Sequence, residues 1–193
     1  MDAAALELTD GTSVRLRLVV DADLDAVYDG IAGDADIERY TRIPFPYTRE
    51  LAREFIERSV ATRADGDEYA FAIRTFVDDA LVGGIGVHRI GRPAPPDSAL
   101  LPNEVGYWVR ADARGRGLCT SALRVLSRWA LTDLGVDRLE LQCATDNARS
   151  RRVAEKVGYR FTRTVTAAEV VDDHRDHHRF VLTLADLDGA TAE

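Results

Sequence analysis

Arg114-Gly115-Arg116-Gly117 stands directly ahead of a long helical pattern, and residue types in that order can hold an anion. The first turn of a helix carries backbone N–H groups with no partner inside the helix, together with a partial positive charge. Glycines remove the side chains that would block a phosphate, and arginines add charge beside it. One reading is therefore a pyrophosphate site; the other is a tight turn that contains glycine for conformational reasons. The stretch closes with neither Gly-Lys-Ser/Thr nor the Gly-x-Gly-x-x-Gly spacing, so it is not a Walker loop or a dinucleotide fingerprint.

Other side chains could take part in proton transfer or ligation. Glu104 begins an apolar run, where a carboxylate can act as a general base or stand as a plain strand-end acid. Cys119 falls in the first turn of the helical pattern, where the dipole is expected to depress its thiol pKa. The run His174 to His178, with Asp172, Asp173 and Asp176 around it, has ligand types but no zinc spacing, and it reads as a solvated polar loop. No metal site is expected.

These residues need elements to position them. Val105 to Val109 reads as a strand bounded by turn formers. After a turn at Ala111 to Ala113, a helix carries Leu118, Ala122, Val125, Leu126 and Trp129 on one stripe. Arg138 to Ala144 reads as a further strand, followed by a helix from Asn147. Upstream, Ser13 to Val20 alternates as a strand, and Asp21 or Asp23 is expected to cap a helix with Leu24, Val27, Tyr28 and Ile31. Asp36 to Pro46 reads as a proline-broken connection. Thr48 is the expected N-cap of a helix holding Leu51, Phe55, Ile56 and Val60.

Tyr69 to Phe76 and Leu81 to Ile90 form a hairpin signal, with Gly83, Gly84 and Gly86 marking a bulge or close backbone approach. Gly91 to Ser98 reads as a proline-rich loop. Arg160 to Val171 and His178 to Leu184 read as two closing strands, and 185–193 as a loose tail.

At 193 residues the chain fits one domain, 1–193. Apolar content of 46% and charged content of 30% are those of a globular protein. A formal charge of −8 argues against sequence-independent nucleic-acid binding and suits a positively charged acceptor such as an amine. Two cysteines give no disulfide framework, which points to a reducing cytoplasm. Neither a signal peptide nor a membrane-spanning run is expected.

Two linked segments give the chain a family resemblance. Arg114-x-x-Gly117-x-Cys119 resembles the Arg/Gln-x-x-Gly-x-Gly/Ala pyrophosphate motif of the GNAT superfamily of acetyl-CoA-dependent N-acetyltransferases. Asn147-x-x-Ser150, with Glu155-Lys156-x-Gly158-Tyr159 behind it, resembles that family's second signature helix. The resemblance covers nearly all of the chain and is nearest to the ribosomal-protein N-terminal acetyltransferase branch. It implies a mixed α/β (α+β) fold with a splayed, mostly antiparallel central sheet flanked by helices on both faces. The strands Val105–Val109 and Leu139–Cys143 would be adjacent in it.

The resemblance also implies roles. Acetyl-CoA would be held by Arg114, Gly115, Arg116, Gly117, Leu118, Cys119 and Thr120, with a backbone N–H near Val109 or Arg110 on the thioester carbonyl and Asn147 on the pantetheine amide. Of the basic run Arg149, Arg151 and Arg152, some would reach the 3′-phosphate, Arg152 among them; a solvated helix face is the alternative. Glu104 would assist amine deprotonation. Many relatives carry a tyrosine where this chain has Ala154, so Ser150 is the implied acid, or simply part of a helix turn. Tyr40, Phe45, Tyr47 and Trp108 would wall the acceptor, while Tyr159 packs in the core. The expected function is acetyl transfer to a primary amine, on a protein N-terminus or a small molecule, by direct attack on the thioester. The alternative is an acyl-CoA-binding sensor or scaffold of weak activity. A monomer or homodimer without nucleic-acid or membrane partners is expected.

Overall fold

The computed structural model describes residues 6–93, 100–169 and 175–189. Among the described residues, eight strands are hydrogen-bonded in the order β1-β2-β3-β4-β5-β6-β8-β7. They are β1 Glu7–Thr9, β2 Val14–Leu18, β3 Glu68–Thr75, β4 Leu81–His88, β5 Glu104–Val109, β6 Leu139–Ala144, β7 Arg160–Val165 and β8 His177–Leu182. The pairs β1·β2, β2·β3, β6·β8 and β7·β8 are antiparallel. β5 and β6 pair in parallel at Glu104↔Glu140. The mixed, mostly antiparallel sheet expected from the sequence is present, with β5 beside β6 as anticipated.

The chain clusters into two compact units, Met1–Gly86 with Tyr107–Leu126, and Val87–Gly106 with Ser127–Glu193. In the first, alternation sets the burial of β2: Val14, Leu16 and Leu18 are buried while Arg15 and Arg17 are only half-buried. Helices α1 (Leu24–Ile31), α2 (Ala35–Tyr40) and α3 (Arg49–Ala64) follow. Thr48 caps α3 as its position suggests, accepting from the Leu51 N–H at 3.2 Å. Val19, Val27, Ile31, Ile37, Ala52, Ala70, Ala72 and Leu81 form the core, with Trp108 packed against it.

Asp23 stands at the N-cap position of α1 without capping it. Its buried carboxylate instead accepts from the Val20 N–H at 3.0 Å and from the Arg74 guanidinium. The proline-broken connection is also corrected, because its first half is the helix α2. Asp34 caps that helix by accepting from the N–H groups of Asp36 (3.0 Å) and Ile37 (3.1 Å).

In the second unit, α4 (Leu118–Thr132) completes its course, and α5 (Ala148–Val157) ends at Gly158 with a left-handed φ of 102°. Leu139, Leu141, Val157, Val165, Phe180 and Leu182 are buried there. The expected loose tail contains a helix, α6 (Leu184–Gly189), with Leu187 fully buried. Thr183 and Asp186 form its reciprocal cap: the Thr183 N–H donates to Asp186 Oδ2 at 3.0 Å, and the Asp186 N–H donates to Thr183 Oγ1 at 3.4 Å. β7 ends at Val165, short of Val171, and 170–174 lie outside the described residues, as do 94–99 of the proline-rich loop.

Candidate active site

In the first unit, β5 ends at Val109 and a single 3₁₀ turn, Ala111–Ala113, leads into Arg114. Gly115 and Gly117 adopt left-handed φ angles of 77° and 80°, which side chains with a Cβ resist. A Cβ placed at either would meet nothing within 4 Å, so the glycines are required by backbone conformation and leave one face of the turn open. The Ser121 N–H donates to Gly117 O at 3.1 Å, the first backbone bond of α4. The N–H groups of Leu118, Cys119 and Thr120 therefore precede any acceptor inside the helix. Arg116 is exposed beside them.

The Arg114 guanidinium is engaged by protein acceptors. Its Nε donates to Val109 O at 3.0 Å, one terminal nitrogen to Asp36 at 3.1 Å and the other to Asp34 at 2.5 Å. Arg110 pairs through Nε and a terminal nitrogen with the two oxygens of Asp112, at 3.2 and 3.1 Å. The Arg110 backbone N–H donates to Val82 O at 3.0 Å, so of the two N–H groups proposed for the thioester carbonyl this one is already engaged. Cys119 corrects an expectation. Burial pushes its thiol up to about 12 from 9.0, so desolvation outweighs the helix dipole.

The acceptor-wall residues also divide. Trp108, expected in the acceptor wall, packs against the core of this unit as a wedge. A Cβ at Gly30 would meet its ring at 2.8 Å and one at Gly84 at 2.5 Å, while one at Gly83 would collide with its backbone oxygen. The close approach read from the glycine run is thus the approach of Trp108. Tyr47 is a buried member of the same core, and burial raises its hydroxyl to about 12. Tyr40, at the end of α2, and Phe45 are half-buried.

In the second unit, Glu104 is 4% exposed at the start of β5. It accepts from Gln142 Nε2 at 3.2 Å and from the Leu101 N–H at 3.4 Å. Gln142 lies two residues beyond Glu140, the parallel partner of Glu104, and so on the same face of the sheet. Nothing local to Glu104 in the sequence announces this partner.

Asn147 is the N-cap of α5, its Oδ1 accepting from the Ser150 N–H at 3.1 Å, which leaves the amide Nδ2 to donate elsewhere. The Ser150 hydroxyl meets Cys143, whose thiol burial pushes up to about 11 despite that contact. Arg152 is exposed on α5, and Arg151 is bridged to Glu155 at 2.7 Å. Tyr159 packs in the core, its hydroxyl 3.0 Å from Ser127 Oγ.

The polar-loop reading of the histidine run is revised for the part that is described. His177 is buried at the start of β8, with Nδ1 2.9 Å from Arg175 O, and His178 packs edge-on against Phe161. His174 lies outside the described residues.

Residues 13–160 match the family model described as an acetyltransferase (GNAT) domain. The chain belongs to the GNAT acetyltransferase family. Among relatives, a probable N-acetyltransferase of Bacillus subtilis, YjcK, is 32% identical over 113 residues, covering 58% of this chain and 60% of that protein. The ribosomal-protein-serine acetyltransferase of Escherichia coli is 27% identical over 132 residues, covering 68% and 69%. The chain thus spans about 60% of the first of these proteins. Mycobacterium smegmatis RimJ, solved in complex with CoA-disulfide, superposes with a TM-score of 0.76 at 22% identity over 94% of this chain and 88% of its own. RimL, a ribosomal alpha-N-protein acetyltransferase solved with coenzyme A, gives 0.79 at 17% identity over 94% and 99%. These two likenesses establish the GNAT fold. No described helix is long and apolar enough to cross a membrane.

Proposed function

We propose that this GNAT domain, 1–193, transfers an acetyl group from acetyl-CoA to a primary amine, the acceptor being a protein N-terminus. The observation that carries the donor assignment is the turn from Gly115 to Thr120. Its glycines face open space, and the first N–H groups of α4 follow directly. Such a turn suits a pyrophosphate, since backbone donors and the helix dipole favour an anion. Arg116 adds exposed charge. Asn147 Nδ2 donates to the pantetheine amide, the N–H of Val109 to the thioester oxygen, and Arg152 meets the 3′-phosphate. The names of the relatives, ribosomal-protein acetyltransferases among them, support an N-terminal acceptor.

Chemistry follows from what each group can do. An α-amine must lose a proton before its nitrogen attacks the thioester carbon, and Glu104 takes that proton directly or through water. Collapse of the tetrahedral intermediate expels the thiolate, and Ser150 supplies or relays its proton. A thiol of pKa about 8.5 leaves readily, so a strong acid is not needed at that position. Tyr40 and Phe45, half-buried, form the acceptor wall together with Tyr47 and Trp108.

The test is acetyl transfer to a panel of N-terminal peptides and small amines, read as thiol release and as acetylated product. Transfer to peptides with intact α-amines, lost on blocking that amine, supports the proposal. Binding of acetyl-CoA without transfer to any amine would leave a sensor or scaffold instead.

A further inference from the structure

The Arg114 side chain makes three donations, each to a protein acceptor. Two carboxylates and a backbone carbonyl take them: Asp34 at 2.5 Å, Asp36 at 3.1 Å and Val109 O at 3.0 Å. A guanidinium facing two carboxylates is already over-neutralised and offers an approaching phosphate no net attraction. Asp34 is the pivot of the cluster, its side chain only 10% exposed. One of its oxygens accepts from the N–H groups of Asp36 and Ile37 and so caps α2, while the other holds Arg114. A single carboxylate therefore joins the N-terminus of α2 to the residue that opens the glycine turn. The Nε bond to Val109 O anchors the same guanidinium to the end of β5.

We infer that Arg114 is a positioning residue: a guanidinium strut that holds the Gly115–Thr120 turn in its binding conformation through Asp34 and Asp36. The inference rests on the proposed reading of that turn as the donor site. It moves the phosphate charge from Arg114 to Arg116, which is exposed. The two roles of Arg114 predict opposite signs when Asp34 loses its charge. A phosphate ligand would be released from a competing carboxylate, and donor binding would tighten. A strut would be loosened, and donor binding would weaken.

The experiment compares wild type, Asp34→Asn, Arg114→Gln and the double variant by calorimetry with coenzyme A. Asparagine keeps an oxygen to cap α2 and replaces the charged acceptor that holds Arg114 with an amide donor. Each single variant is expected to weaken binding at least about 5-fold, the low end of energetic coupling between sites. The double variant is expected to be no weaker than the worse single one, because both break the same link. At saturating donor kcat should be retained while the KM for acetyl-CoA rises. Hydrogen exchange at 114–117 in the ligand-free protein should accelerate in both single variants. Unchanged or tighter binding by Asp34→Asn, or additive losses in the double variant, would overturn the strut. Should Asp34→Asn fail to fold, Asp36→Asn, which leaves the Asp34 cap intact, is judged by the same two criteria. A wild type that binds no coenzyme A would overturn the donor-site reading instead, and the exchange measurement would then decide the strut by itself.

Discussion

Glu104 shows what a single residue can and cannot disclose in sequence. Its position at the head of an apolar run was legible, and with it the possibility of a base. Its burial and its bond from Gln142 were not, because that partner is fixed only by the parallel register Glu104↔Glu140. The same holds for Arg114: the sequence shows a cation beside glycines, and only the fold brings Asp34 and Asp36 to it. Cys119 misled for a related reason, since the helix dipole is legible in sequence and desolvation is not. If Glu104 takes the amine proton, Glu104→Gln keeps shape and burial but removes the acceptor. Turnover should fall about 10²–10⁴-fold, the usual worth of general-base catalysis, and the acid limb of the pH–rate profile should flatten. Affinity for acetyl-CoA should be retained. A loss well under tenfold, measured under saturating substrates, would reduce Glu104 to a strand-end carboxylate and leave catalysis to positioning.

Among the elements, long periodic segments were legible and short capped ones were not. α3, α4, α5 and β2 to β6 follow from spacing and cap residues. α2 was hidden by the prolines that follow it, although Asp34 ahead of an acidic first turn is an N-cap signal. α6 was hidden by its place at the end of the chain, although Thr183-x-x-Asp186 is a capping-box spacing.

The glycines of β4 gave their purpose away only in part, since a close approach was foreseeable and its partner, Trp108, was not. That packing makes an ordered prediction. Gly83→Ala sets a methyl against the Trp108 backbone oxygen, whereas Gly84→Ala meets the indole ring, which can shift more cheaply. Gly84→Ala should destabilise by about 1–3 kcal/mol, the usual cost of overpacking, and Gly83→Ala by more. Denaturant unfolding checks the order, and equal or inverted losses would contradict the wedge role of Trp108.

On the scale of the whole molecule, several weak acids raised by desolvation set a limit on alkaline stability. Cys119 is raised to about 12, Cys143 to about 11 and Tyr47 to about 12, each by burial, and burial raises Tyr159 as well. Each binds its proton more tightly folded than unfolded. Between the unfolded and folded pKa values the native state holds more protons, so stability falls as pH rises. The loss should begin near the ordinary thiol value of 9.0 and continue to about 12. Replacing Cys119 with alanine should make the fall above pH 9.0 shallower in a series of urea unfolding curves, with Cys143 still setting its onset. A midpoint independent of pH from 9.0 upward would contradict the burial of these groups.

The account turns on the glycine turn being the donor site, and one measurement addresses that claim directly: the affinity of Gly117→Val for acetyl-CoA, by calorimetry, beside wild type and Gly66→Val. Gly117 and Gly66 have φ of 80° and 73°, and a Cβ at either meets nothing within 4 Å. Both substitutions therefore carry the same backbone strain, about 1–2 kcal/mol, but only Gly117 lies in the turn. The account predicts that Gly117→Val loses about 1–3 kcal/mol of binding, the worth of a charge-assisted hydrogen bond, while Gly66→Val binds as wild type does. Equal affinity in all three proteins would contradict it.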